Sequence, residues 1–458
     1  MQQGRTWLPI GLGLGLLAIA GLGFRAVTDQ PTAQASLTMA TLGGSSYASS
    51  PAEAAIQGGS SAPPALTGSG GQGTGGTSKV PGRRASAVLA PDGGGFYEPP
   101  TPLPQGKPGD VIWYRPAKAT TPLGAQSLAS VDAWQVLYLS TDVRGRPDAV
   151  TGTILVPKGH DPATMPIIGF APGTHGIGDS CAPSKWIVAG AEYETIAMNV
   201  LLKRGWAVAV TDYQGLGTPG VHTYMIGRPQ GTALLDIVRA ARRLDATGLS
   251  STSPVALWGY SQGGSASGWA AQLQPSYAPE LPVRAVVAGG TPADLKVVAD
   301  KLDGSPGFDF LGMSSVALDA TYPELKLDNY LTPDGRKAMA AAATNCLVHG
   351  LVTGANKRIA DYTTTNPLST PAWQARVNEQ KLGRQAPKVP VFLGHGLVDE
   401  FIPYSQAVQL KNEWCSLGAT VSWHHYLGEH TTTESLMLTG AANFVADRFA
   451  GKPAPSSC

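Results

Sequence analysis

The chain has 458 residues, 43% of them hydrophobic and 14% charged, with 33 basic against 32 acidic side chains. That length suffices for one large core or two to three units of ordinary size, and the charged fraction lies well below the roughly 25% of an average soluble protein. A net charge of +1 provides no electrostatic footprint for a phosphate backbone, which excludes the ordinary classes of nucleic-acid binder.

At the N-terminus, Arg5 precedes an uncharged apolar stretch from Trp7 to Phe24, and Ala33-Gln34-Ala35 follows as a small-x-small cleavage site. Residues 1–35 therefore read as a secretory signal. The apolar run is also long enough to span a bilayer, so an uncleaved anchor is the alternative, and the expected location is secreted or cell envelope. Residues 36–91 are rich in Gly, Ser and Ala. Runs such as Gly68-Ser69-Gly70-Gly71 cannot bury enough apolar surface to offset backbone ordering, so this stretch reads as a disordered linker.

From residue 92 onward, apolar and β-branched runs predict strands over Trp134–Ser140, Ala149–Val156, Pro166–Phe170, Trp206–Thr211, Val255–Tyr260, Val283–Ala288, Val389–Gly394 and Thr420–Tyr426. The middle runs are continuously apolar, as strands covered on both faces of a parallel sheet must be. Helical patterns lie between them, for example over Gly231–Ala246 and Ser265–Leu273. Antiparallel-looking strands first and β–α alternation afterwards predict an α/β fold, a mostly parallel central sheet flanked by helices. The four cysteines, Cys181, Cys346, Cys415 and Cys458, have no metal-finger spacing; in an exported chain they read as two disulfides with three possible connectivities.

The most informative stretch is Gly259-Tyr260-Ser261-Gln262-Gly263, set between a strand and a helical pattern. That context is a nucleophile elbow: a turn so tight that the residues two before and two after the serine must be tiny. A serine nucleophile needs a base, and the base needs a carboxylate, in the chain order Ser, acid, His. Asp399 falls just past the C-terminal end of the strand Val389–Gly394, where active-site groups of open α/β sheets gather. Glu400 is its neighbour and rival, while Asp294 and Asp300 have weaker contexts. His430 follows the last predicted strand in a loop that enters a helix, 31 residues past Asp399; His424 and His425 lie inside that strand and read as packed or surface residues, and His395 as structural near the acid turn. One oxyanion donor is expected from the N–H of Gln262. The second comes from an earlier strand-end loop, either Thr211–Gly215 or Ala171–Gly176, and position alone favours the latter. Gly215–Gly220 matches a dinucleotide fingerprint, but Pro219 would interrupt the required helix and no ribose-binding acid follows. No metal or organic cofactor is implied.

With these residues, the chain resembles the secretory lipase family of yeast lipase A type, within the α/β-hydrolase fold. The resemblance rests on Gly259–Gly263 continuing to Ser276-Tyr277-Ala278-Pro279-Glu280-Leu281, on Gly289-Gly290-Thr291-Pro292, on Asp399–Tyr404 and on Gly428-Glu429-His430-Thr431. It implies Ser261 as nucleophile, Asp399 as acid, His430 as base, Asp212 as donor of the second oxyanion N–H, and disulfides Cys181–Cys346 and Cys415–Cys458. It also implies a cap (lid) inserted over residues 295–385, with 92–294 and 386–458 forming the catalytic domain. The 138 residues between Ser261 and Asp399, far more than one βαβ unit needs, support such an insertion independently. The expected activity is cleavage of lipid or other acyl esters through an acyl-enzyme. An acyltransferase, a peptidase or a non-catalytic surface-binding protein on the same scaffold remain the alternatives. Phe308–Met313 reads either as lipid-contacting surface or as the cap's own core.

Overall fold

The computed structural model describes residues 88–91, 95–120 and 130–458. The expected signal or anchor, and all of the expected linker except its last four residues, lie outside the described residues.

Among the described residues, ten strands form one sheet: β1 (Val88–Leu89), β2 (Val111–Ala117), β3 (Val131–Thr141), β4 (Pro147–Pro157), β5 (Ile167–Ala171), β6 (Ala207–Thr211), β7 (Val255–Tyr260), β8 (Val283–Gly289), β9 (Val391–Gly396) and β10 (Val421–Tyr426). Their spatial order is β1-β2-β3-β4-β6-β5-β7-β8-β9-β10. β2, β3, β4 and β6 pair antiparallel in succession, and from β6 to β10 every pairing is parallel. Eight of the strands fall where apolar runs predict them. β2 escapes the pattern because Arg115 and Pro116 interrupt it, and Pro is tolerated this near a sheet edge. Val88 and Leu89, at the end of the expected linker, pair with Trp113 and Tyr114 instead.

Among the described residues, the α-helices before the insertion are α1 (Pro183–Ala189), α2 (Thr195–Leu202), α3 (Gly227–Arg243) and α4 (Gln262–Tyr277). β5, β6 and β7 are buried along their whole length because helices cover both faces. α3 and α4 pack on one face through Leu234, Ile237, Val238, Ala266 and Ala270; Ile187 of α1 and Met198 and Leu201 of α2 pack on the other. Burial of each such Leu, Ile or Val stabilises the fold by roughly 1.5–3 kcal/mol, so the sheet centre is the most costly place to disturb.

Between β8 and β9 the chain leaves the sheet and forms six helices: α5 (Leu295–Leu302), α6 (Asp309–Thr321), α7 (Pro333–Ala342), α8 (Leu347–Thr353), α9 (Ile359–Tyr362) and α10 (Pro371–Glu379). This helical cap has its own core of Met313, Leu318, Leu325, Leu331 and Trp373, which meets Tyr224, Met225 and Ile226 of the sheet domain. α11 (Tyr404–Ser416) and α12 (His430–Phe449) complete the sheet domain, with Met437, Ala441 and Val445 of α12 on the same face as α1 and α2. Both disulfides pair as the resemblance implies: Cys181–Cys346 ties the segment before α1 to the cap, and Cys415–Cys458 pins the C-terminus to α11. No helix among the described residues is long and apolar enough to cross a membrane.

Candidate active site

β7 ends at Tyr260 and α4 begins at Gln262, so Ser261 alone makes the turn, at φ 56° and ψ −120°. Few non-glycine residues adopt such a conformation, and it holds only because the surroundings over-determine it. A Cβ on Gly259 would collide with the backbone of Gly263, and one on Gly263 would collide with the carbonyl oxygen of Ala171 at the end of β5. The glycines of the motif are therefore required by backbone packed directly on backbone.

The turn aims Ser261 at His430, the first residue of α12. His430 Nε2 lies 2.9 Å from Ser261 Oγ, and His430 Nδ1 lies 2.7 Å from Asp399 Oδ2. Asp399 Oδ1 accepts from the N–H groups of Phe401 and Ile402 at 3.0 and 2.7 Å, which fixes the carboxylate. Burial works against the charge on Asp399, but the His430 contact outweighs it and holds the carboxyl below its ordinary range. Burial likewise opposes protonation of His430; the adjoining Asp399 charge, with Glu400 and Glu434 beyond it, reverses this and raises the imidazole above its ordinary value.

The rival residues have other partners. Glu400 accepts from the backbone N–H of His430 at 2.9 Å, where a carboxylate at a helix N-terminus is stabilising. Asp294 caps α5 through the Lys296 N–H, and Asp300 pairs with the Lys296 ammonium at the surface. His395 is fully buried and donates to the Ile402 carbonyl at 2.9 Å, bracing the acid loop from beneath. His424 stacks on Phe392 with ring centroids 4.1 Å apart. Gly215–Gly220 forms an irregular turn, and no helix opens there.

The oxyanion side departs from the resemblance. The N–H of Asp212 donates to the Thr151 carbonyl at 2.9 Å, continuing the β4–β6 ladder, and its carboxylate accepts from Ser184 and Thr151. Asp212 therefore has no N–H to offer an oxyanion. Across from Ser261 lies the other loop, Pro172–His175, whose polar groups are held by side chains. Tyr213 donates to the Pro172 carbonyl at 2.6 Å, His175 Nδ1 to the Gly173 carbonyl at 2.9 Å, and Tyr193 to the Thr174 carbonyl at 3.0 Å. The Gly173 N–H donates to Glu194 at 2.8 Å. Among the described residues, the N–H groups of Thr174 and Gln262 make no hydrogen bond. Both residues line, with Ser261 and His430, a cavity that runs under the cap. Its remaining walls are mostly apolar, among them Leu302, Phe308, Phe310, Leu311 and Trp373. Phe308–Met313 thus serves both readings: Met313 is in the cap core, while Phe310 and Leu311 face the cavity.

Two features were not legible as functional in the sequence. His222, kept neutral by burial that pushes it down to about 4, donates from Nδ1 to the Gln214 carbonyl and accepts the Gln262 side-chain amide at 3.0 Å. Behind the Pro172–His175 loop, His175, Glu192 and Glu194 form a buried cluster with ligating atoms within 4.8 Å of one another. His175 Nε2 already bonds Glu192 at 2.7 Å and Glu194 already holds Gly173, so a cation there would have to break the bonds that shape the loop.

A parallel-sheet core, a serine on a strand–helix turn and a hydrogen-bonded Ser–His–Asp series in chain order Ser, Asp, His define a serine hydrolase of the α/β-hydrolase fold. Comparison with known proteins narrows the class. Residues 182–457 match the family model described as secretory lipase, and the chain belongs to that family. It is 29% identical over 395 residues to lipase 6 of Candida albicans, covering 79% of this chain and 82% of that protein. It is also 29% identical over 391 residues to a Mycobacterium tuberculosis protein named probable inactive lipase MT1628, covering 81% and 85%. Among solved structures, Candida antarctica lipase A in its closed state superposes with a TM-score of 0.71 at 26% identity, covering 79% of this chain and 87% of that one. The chain is accordingly a secreted serine carboxylic ester hydrolase acting on acyl esters.

Proposed function

We propose that Ser261, His430 and Asp399 carry out two-step acyl transfer to water, with an acyl chain of lipid character lodged under the cap. His430 takes the Ser261 proton as Oγ attacks the ester carbonyl, then protonates the departing alcohol; a water activated by the same imidazole releases the acid. Asp399 orients the ring and stabilises its charged form. The N–H groups of Gln262 and Thr174 receive the oxyanion, in place of Gln262 and Asp212. Two donors left without partners beside the nucleophile support this assignment, since polar groups of a buried loop are otherwise satisfied.

The observation that carries the reading is the 2.9 Å and 2.7 Å series from Ser261 through His430 to Asp399, opening onto an apolar cavity. An apolar wall lined by the cap suits fatty acyl esters presented at a lipid–water interface and gives no charged group to fix a peptide or a nucleotide. The N-terminal segment is proposed as an export signal.

The test is hydrolysis of p-nitrophenyl esters from short to long acyl chains by the wild type and Ser261→Ala in parallel. Activity in the wild type, a loss of about 10⁵-fold or more in the variant and a preference for longer chains are expected. A wild type as inert as Ser261→Ala on every ester would overturn the hydrolase reading and favour transfer to another acceptor or binding alone.

A further inference from the structure

His222 is fully buried, and no step of the proposed mechanism uses it. It belongs to segment 212–226, which joins β6 to α3 and lends Tyr224 and Met225 to the cavity wall. The backbone near both ends of this segment is strained: Tyr213 has φ 67° and Met225 φ 62°, values that non-glycine residues keep only where their surroundings hold them. Inside the segment, the Gln214 carbonyl accepts from the Thr223 N–H at 3.1 Å and from His222 Nδ1 at 2.9 Å. A carbonyl only accepts, so Nδ1 carries the proton of the neutral ring and Nε2 is left with a lone pair. Nε2 accepts from the side-chain amide of Gln262 at 3.0 Å, and Gln262 is as buried as its partner. Burial pushes the imidazole down to about 4, so it remains an acceptor at any pH above that value.

The same ring packs beside two tyrosines that hold the facing loop. Tyr213 stacks on it with ring centroids 5.7 Å apart, and Tyr224 lies tilted at 6.0 Å. Tyr213 donates to the Pro172 carbonyl at 2.6 Å, and the Tyr224 hydroxyl bonds the Thr174 hydroxyl at 2.9 Å. His222 therefore reaches both residues whose N–H groups are free beside Ser261: Gln262 directly, and Thr174 through the tyrosines. Those two donors come from the start of α4 and from the loop after β5. Their separation is set by side-chain contacts, and His222 is where the contacts meet.

We propose that His222 is a positioning residue that fixes the spacing of the two oxyanion donors, the N–H groups of Gln262 and Thr174, by tying the Gln262 side chain to the tyrosines that hold the Thr174 loop. The inference rests on the ester-hydrolase reading above and deepens it. The negative charge on the carbonyl oxygen develops only in the transition state, so donors out of register slow turnover and leave ground-state binding largely intact. A displacement of about 1 Å costs up to about a hundredfold. The link should therefore show in kcat and not in KM.

The experiment measures kcat and KM of the full chain on p-nitrophenyl butyrate, with affinity for a tetrahedral alkyl phosphonate as a second readout. His222→Asn places an amide where Nδ1 stood, so it keeps the Gln214 bond but falls short of Gln262. His222→Gln is one methylene longer and offers its Oε1 to Gln262, giving up the Gln214 bond instead. His222→Asn is expected to lower kcat by about ten- to a hundredfold, to leave KM within about twofold and to weaken the phosphonate in step with kcat/KM. His222→Gln should stay within about threefold of wild type in kcat. Gln262→Met, which keeps the backbone N–H and the length of the side chain, should lose as much kcat as His222→Asn, and the double variant little more than either, because both remove the same link. A role confined to anchoring segment 212–226 through Gln214 would reverse the order of His222→Asn and His222→Gln, and that result would overturn the proposal. So would wild-type kcat in His222→Asn, a loss confined to KM, or losses that multiply in the double variant. Should His222→Asn fail to fold, Gln262→Met decides: a kcat loss at unchanged KM supports the link, and wild-type turnover ends it. If the wild type is active and Ser261→Ala is not, while the His222 and Gln262 variants are normal, this inference fails alone. If the wild type cleaves no ester, both readings fall.

Discussion

The two walls of the candidate site are built on opposite principles. The Ser261 side is shaped by the absence of side chains: Gly259, Gly263 and the end of β5 pack backbone against backbone, leaving no room for a methyl group. The facing loop Pro172–His175 is shaped by side chains: Tyr213, Tyr193 and Glu194 from elsewhere, and His175 of the loop itself, each hold one of its peptide groups. A wall made of contacts between neighbouring residues can be read from a five-residue motif. A wall made of remote hydrogen bonds cannot, because its partners have no fixed spacing in the chain. The first should also fail abruptly when altered, and the second by degrees.

Gly263→Ala is the most severe test of that contrast. Its Cβ would enter the Ala171 carbonyl, and neither backbone segment can move without shifting β5 or β7. We expect at least about a hundredfold loss of kcat/KM together with about 1–3 kcal/mol of stability, read by ester hydrolysis and thermal melting. A near-normal enzyme would show that the elbow has slack the packing denies.

Removing the Cys181–Cys346 bond by the double substitution Cys181→Ser and Cys346→Ser frees a link between partners 165 residues apart, one beyond the Pro172–His175 loop and the other in the cap. In the chain-entropy view a loop of this size contributes about 3–5 kcal/mol. The melting temperature should fall accordingly and more than kcat does, if hydrogen bonds rather than the disulfide set the loop's local shape.

Tyr193→Phe deletes one hydroxyl and leaves the Thr174 carbonyl without its donor. A lost bond of this kind costs about 1–3 kcal/mol, and turnover should drop about tenfold while three other bonds keep the loop in place. A drop as large as that of Gly263→Ala would erase the distinction between the two walls.

The smallest effect concerns pH. A raised His430 stays protonated to higher pH than an ordinary imidazole, and the protonated ring cannot accept the Ser261 proton. kcat/KM should therefore fall as pH drops through a value above about 6.5. Glu400→Gln keeps an acceptor for the His430 N–H but removes one charge that sustains the shift, so the acid limb should move to lower pH. A shift to higher pH would contradict the assigned role of Glu400.

Much of this molecule was determined by the sequence alone, wherever the cause is local. Continuous apolar runs place β5, β6 and β7 at the buried sheet centre, since only strands covered on both faces lack polar residues throughout. Gly259–Gly263, Asp399 and His430 could be ordered along the chain because each sits at the end of a recognisable strand, and the turn at Ser261 demands residues without side chains. Tertiary structure alone decided the rest. Asp212 and Thr174 both follow strand ends, and nothing near either residue says whose N–H remains free. That outcome depends on Thr151, a residue on a neighbouring strand, accepting from Asp212. Glu194, 21 residues from the Gly173 N–H it holds, looks in sequence like any surface acid, and only the packed structure buries it against that peptide.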